Sequence, residues 1–176
     1  METKEFLKKF LLKMFLFEMG ISLLVAIVGC VMFVLAGSNV FGLIAVTLYL
    51  NGMYFVMIFI EAYTEGHADR SREAINLVKV THFKGLYGGL AASAIPAFLL
   101  ILNLITRNEL ILTVMRFYNA QYIYFTVSNS PLILALLLLP LPLTTWLAYW
   151  LGVRNVPFLT KIILERKRKI KTGDFE

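Results

Sequence analysis

Any chemistry in this sequence has to come from a few polar residues set in apolar surroundings, chiefly Glu18, Cys30, Asn51, Glu61, His67, His82 and Ser93. Metal binding asks for imidazoles, thiolates or carboxylates at ligand spacing. His67 and His82 have no cysteine beside them, and Cys30, the only cysteine, lies within a long apolar run. A single cysteine excludes an intramolecular disulfide and reads as a small packing residue. There is no HExxH zinc site, no G-x-S-x-G elbow, no P-loop and no G-x-G-x-x-G turn, so the common reaction classes lack their parts. The expectation is a protein without catalytic activity, metal or cofactor.

Two other constellations suit solute handling. Asn51-Gly52, Pro96 and Pro140 fall near the middles of their apolar runs. A proline removes a backbone donor and frees the carbonyl four residues earlier, here those of Ala92 and Leu136. Broken helices at mid-membrane build binding sites in transporters, so Asn51, Ser93, Pro96 and Pro140 form a candidate midplane polar site. The competing reading is a packing kink whose freed groups are satisfied by neighbouring helices. Glu18 and Glu61 lie at similar distances from the turn around Ser38 and form a pair of candidate interfacial carboxylates. Buried, such a carboxylate would exchange protons; at the headgroup level it snorkels to water, which the terminal positions favour.

The elements that must position these residues follow from composition. With 176 residues, 59% apolar and 16% charged, and a mean hydropathy of +0.76, the chain exceeds what a water-soluble core of this size hides. The solvent is lipid. Apolar runs at 19–36, 40–60, 86–105 and 131–150 match the roughly 20 residues that a spanning helix needs. None alternates as a barrel strand does. The predicted fold is all-α, a four-helix transmembrane bundle forming one domain over residues 1–176, with interfacial amphipathic helices at both ends.

Gly37-Ser38-Asn39 is a turn cluster that makes the first two spans an antiparallel hairpin. The charged stretch that follows the second span carries Arg70, Arg72, Lys79 and Lys84 and is assigned to the cytoplasm as a loop. Four spans place 15 of the 17 Lys and Arg residues inside, with only Arg107 and Arg116 outside; by the positive-inside bias both termini are cytoplasmic. Residues 109–127 would reverse the tail if they crossed, so they read as an interfacial connection, either helix or loop. The basic N-terminal region also resembles a signal peptide, with Val34-Leu35-Ala36 as a formal cleavage site, but its apolar stretch is too long for that class.

Helix packing has its own signal. Gly85, Gly89, Ser93 and Ala97 recur every four residues along one face, where backbones can approach closely. That seam reads as packing within one bundle, with a homodimer face as the alternative. The C-terminal run Arg166, Lys167, Arg168, Lys169 and Lys171 suits anionic lipid headgroups, each charge adding about 1 kcal/mol. The surplus charge of +6 is explained by topology, which leaves nucleic acid no role as a partner.

The arrangement EGHADRSREAINLVKVTHFKGLYGGLAASAIP between two helical hairpins, followed by a basic tail, resembles small uncharacterised multi-pass membrane proteins of Gram-positive bacteria. The resemblance implies an integral protein of the bacterial cytoplasmic membrane without an assigned activity, and it carries over no functional residue. Small drug exporters also have four spans and a first-span glutamate, but this chain is longer and matches them no further. The expected function is a non-enzymatic accessory or scaffold subunit bound to a membrane protein partner. The alternative is a small solute or ion transporter or channel with its midplane site near Asn51.

Overall fold

The computed structural model describes residues 2–36, 39–77, 79–118, 131–136 and 138–163. Regular structure among them is entirely helical: α1 (Glu2–Ala36), α2 (Val40–Ala74), α3 (Lys84–Ala92), α4 (Ala94–Thr106), α5 (Glu109–Tyr118), α6 (Pro131–Leu136) and α7 (Pro140–Arg154). Residues 157–163 form a last helix, α8.

Each long helix is two-faced at helical period. α1 buries Phe10, Met14, Glu18, Ile21, Ser22 and Val25 and exposes Leu12, Leu16, Leu23, Ile27, Val31 and Val34. Its first 18 residues continue the span without a break, where a separate interfacial start was expected. α2 buries Val46, Leu50, Tyr54, Ile58, Ala62 and Asp69, in phase along its whole length, while its exposed large apolar side chains end at Met57. Large apolar residues that face outward in this way are suited to lipid.

The charged stretch expected to be a loop from Glu61 is helical as far as Ala74. The buried face explains this, because Ala62, Tyr63 and Asp69 prolong the stripe that packs on the other helices, and packing outweighs local polarity. Each of α1 and α2 has 35 residues, about 52 Å at 1.5 Å per residue, well beyond a hydrocarbon core of about 30 Å. Asn39 caps α2 by accepting a hydrogen bond from the Phe41 amide at 3.0 Å, and α2 stops where Asn76 turns left-handed at φ 56°.

The two later apolar runs are broken rather than continuous. α3 and α4 are inclined at 47° across Ser93. Pro96 lies in the first turn of α4 and Pro140 is the first residue of α7, where a missing N–H costs nothing. Pro140 therefore opens a helix, whereas the bend three residues before Pro96 is a kink, because the Ser93 amide still donates to the Gly89 carbonyl at 2.9 Å and the Ala97 amide to the Ser93 carbonyl at 3.0 Å. The Leu136 carbonyl, expected to be freed by Pro140, accepts from the Leu139 amide at 3.2 Å. Asn51-Gly52 makes no break, since α2 runs straight through it.

Two helical stretches, Leu7–Met32 and Val40–Ala74, are long and apolar enough to cross a membrane, and the bent pair α3–α4 makes a third if it forms one span. The chain is thus a membrane protein. The expected fourth span is split into α6, with 6 residues, and α7, with 15, each too short to cross alone.

Among the described helices α7 packs against α2 and α3, and α1 packs against α3 and α2. One apolar cluster joins Ile21 and Val25 to Val46, Leu50, Tyr54, Ile58, Ala92 and Leu141. A second joins Phe10 and Met14 to Ala62, Tyr63, Ala148, Tyr149 and Ile163. α5 turns Leu112 and Met115 onto Leu100 of α4, and makes a helix of the first part of the 109–127 stretch that the sequence left open between helix and loop; residues 119–127 lie outside the described residues.

Candidate functional site

Close helix contacts come first, because they decide which polar groups meet. A side-chain carbon at Gly66 would overlap the Tyr149 carbonyl, and one at Gly152 would overlap the Tyr63 carbonyl, so α2 and α7 cross backbone to backbone. At Gly85 it would come within 2.6 Å of the Thr145 carbonyl, and at Gly88 within 2.6 Å of the Phe10 ring. These four glycines draw α1, α2, α3 and α7 together at one level.

Asp69 sits at that level with no exposed surface. Its carboxylate accepts from the Tyr149 hydroxyl at 2.7 Å, from Arg72 Nη1 at 2.9 Å and from Lys84 Nζ. Lys84 is itself buried, and its ammonium also lies 4.6 Å from the centre of the Phe10 ring, within cation–π range. A belt of further ion pairs continues outward. Lys13 meets Glu61 at 2.5 Å and Glu65 at 3.0 Å, and Glu65 meets Arg72 at 3.7 Å. One charge from α1, four from α2 and one from α3 are thereby neutralised around a tyrosine of α7.

A second buried polar group lies deeper. Glu18 is 2% exposed and accepts on Oε1 from the Ser22 hydroxyl at 3.0 Å and the Tyr54 hydroxyl at 2.8 Å. It is therefore held between α1 and α2 instead of snorkelling. Ser22 is one turn along its own helix, while Tyr54 supplies the bond from the neighbour.

The midplane candidates spend the bonds they show within their own helices. Asn51 Nδ2 donates to the Thr47 carbonyl at 2.8 Å, and the Ser93 hydroxyl donates to the Gly89 carbonyl at 2.9 Å. Pro96 is buried, while Pro140 is partly exposed at the start of α7. Of the small-residue seam, Gly85 and Gly89 lie against Thr145 and Pro142 of α7. Ala97 lies beyond the bend, on α4, so the seam does not continue in a straight line. Glu61 is paired with Lys13. Arg166, Lys167, Arg168, Lys169 and Lys171 lie outside the described residues.

Asp69, Lys84 and Tyr149, the centre of the network, were not among the residues singled out from sequence. A signal existed for Asp69, which stands seven residues beyond Ala62 on the buried face of α2. None existed for Tyr149, whose partner is 80 residues away. Among the described residues no group of three His, Cys, Asp or Glu is arranged to hold a metal ion. No family model matches the chain, and searches of curated proteins and of solved structures return no match.

Proposed function

We propose that this protein is a non-enzymatic accessory or scaffold subunit of the bacterial cytoplasmic membrane. It is threaded four times, by α1, by α2, by α3 with α4 and by α6 with α7, and both termini are cytoplasmic. The exposed apolar stripes of α1 and of α2 up to Met57 support hydrocarbon contact along the hairpin. The basic residues collected at the Asp69 end support a cytoplasmic placement of that end.

The saturated Asp69 network carries the functional reading. A general base must offer a lone pair to a proton within reach, whereas Asp69 is enclosed and already takes three donors. Its charges fasten helices together, and a rigid apolar-sided assembly suits a subunit that docks other membrane proteins. Affinity purification from native membranes in mild detergent tests this. One membrane protein should co-purify in fixed stoichiometry, and vesicles reconstituted with the pure protein should conduct ions no faster than empty ones.

A small proton-coupled transporter is the second reading, favoured by the buried Glu18 carboxylate between Ser22 and Tyr54. Flux in reconstituted vesicles, lost in Glu18→Gln or Asn51→Leu while the protein stays folded, would replace the scaffold reading with this one.

A further inference from the structure

We propose that the C-terminal end of α7 is a seat for one anionic phospholipid, with the phosphate held by Arg154 and Arg70 and the acyl chains lying along the outer face of α7. The Arg154 guanidinium stacks on the Trp150 ring, 3.9 Å from its centre. Arg70 reaches over from α2 and donates through Nη1 to the Val153 carbonyl at 3.3 Å, which places its guanidinium beside the backbone next to Arg154. That bond uses one N–H of a five-donor fork. Both arginines are exposed.

Charge leaves this pair available. Among the described residues Glu61, Glu65 and Asp69 are taken by Lys13, Arg72 and Lys84, Glu73 accepts from the Val80 amide at 3.0 Å, and no ion pair reaches Arg70 or Arg154. Two guanidinium groups at the same end of α7, neither of them in an ion pair, match a phosphate diester, which arginine binds through paired N–H bonds.

The apolar half of the ligand is also provided for. Leu143, Trp146 and Leu147 are exposed, and their spacing with Trp150 and Arg154 sets them on one side of α7. An outward apolar stripe that ends in a tryptophan and an arginine follows the order of acyl chain, glycerol region and headgroup along a lipid. Depth agrees, because Gly152 meets α2 at Tyr63 and His67, beyond Met57, where the exposed apolar side chains of α2 stop.

The test is native mass spectrometry of the full chain in detergent micelles, titrated with phosphatidylglycerol or phosphatidylcholine. One phosphatidylglycerol should be retained in preference to phosphatidylcholine. Arg154→Gln should weaken its binding about fivefold, and Arg154→Gln with Arg70→Gln more than tenfold, from the attraction expected of each headgroup charge. A variant with Arg166, Lys167, Arg168, Lys169 and Lys171 all changed to Gln should retain that lipid. Inorganic phosphate at millimolar concentration should not displace it. Both arginines are exposed, so folding is checked by an unchanged unfolding midpoint; should the double variant fail that check, the single Arg154→Gln variant decides. Wild-type affinity in the arginine variants, equal retention of phosphatidylcholine, loss of the lipid in the tail variant, or full displacement by inorganic phosphate would each overturn the proposal. The last would point to a free anion as the ligand.

Discussion

Replacing Lys84 by methionine removes one charge from the centre of the network while keeping a similar volume. Removing one partner of a buried ion pair costs about 3–5 kcal/mol, because the other charge is left uncompensated. Asp69 would still have the Tyr149 hydroxyl at 2.7 Å and Arg72 at 2.9 Å, which places the expected loss near the lower end, about 3 kcal/mol. The lost ammonium contact with the Phe10 ring accounts for roughly 0.5–2 kcal/mol within that figure. Asp69→Leu together with Lys84→Met should cost less than Lys84→Met alone, because no unpaired charge remains; the Tyr149 hydroxyl then lacks its acceptor, worth about 1 kcal/mol. Stability is read from unfolding by dodecyl sulfate in mixed micelles. Tryptophan fluorescence reports directly, since Trp146 and Trp150 are on α7. A change below about 0.5 kcal/mol in Lys84→Met, the range of ordinary surface substitutions, would show that Lys84 does not compensate a buried Asp69 charge, as would a double variant less stable than the single one.

Gly89→Ala places its new carbon against Thr145 and 2.5 Å from Pro142 Cα, and should lose about 1–3 kcal/mol by overpacking. Gly52→Ala meets nothing within 4 Å and should gain up to about 1 kcal/mol of helix propensity; equal effects at the two sites in the same unfolding assay would contradict the packing of α3 on α7. In a Cys30→Ser background, cysteine at Ser71 should react with a membrane-impermeant maleimide only from the cytoplasm. Cysteine at Asn108 should react only from outside, and the opposite result at either position would sink the four-span threading.

Helical class and lipid solvent were legible in the residues, because every backbone group in hydrocarbon must be satisfied within its own segment and long apolar runs leave few other solutions. The close approach at Gly85 and Gly89 was readable for the same kind of reason, since four-residue spacing is local, whereas Gly37 and Ser38 of the expected turn lie outside the described residues. Local rules failed where tertiary contact overrode them. The stretch from Glu61 to Ala74 looks like a loop by charge, yet it is helical because its hidden face packs on α7. Pro140 looks like a mid-helix kink, yet it begins a helix after a break, while Pro96 does follow a bend of 47°.

The polar site was the least legible part. Glu18 was visible as a carboxylate, but whether it faces water or Tyr54 depends on how α1 and α2 are rotated about their axes, which residue spacing within one helix does not fix. Asp69, Lys84 and Tyr149 come from three helices and meet only because glycines let the backbones of α2, α3 and α7 approach. Solvent, helical class and the small residues that permit contact are therefore properties of the amino-acid order. Which charges pair is settled by the packing of the helices, because an ion pair depends on distances of a few ångströms between helices far apart in the chain.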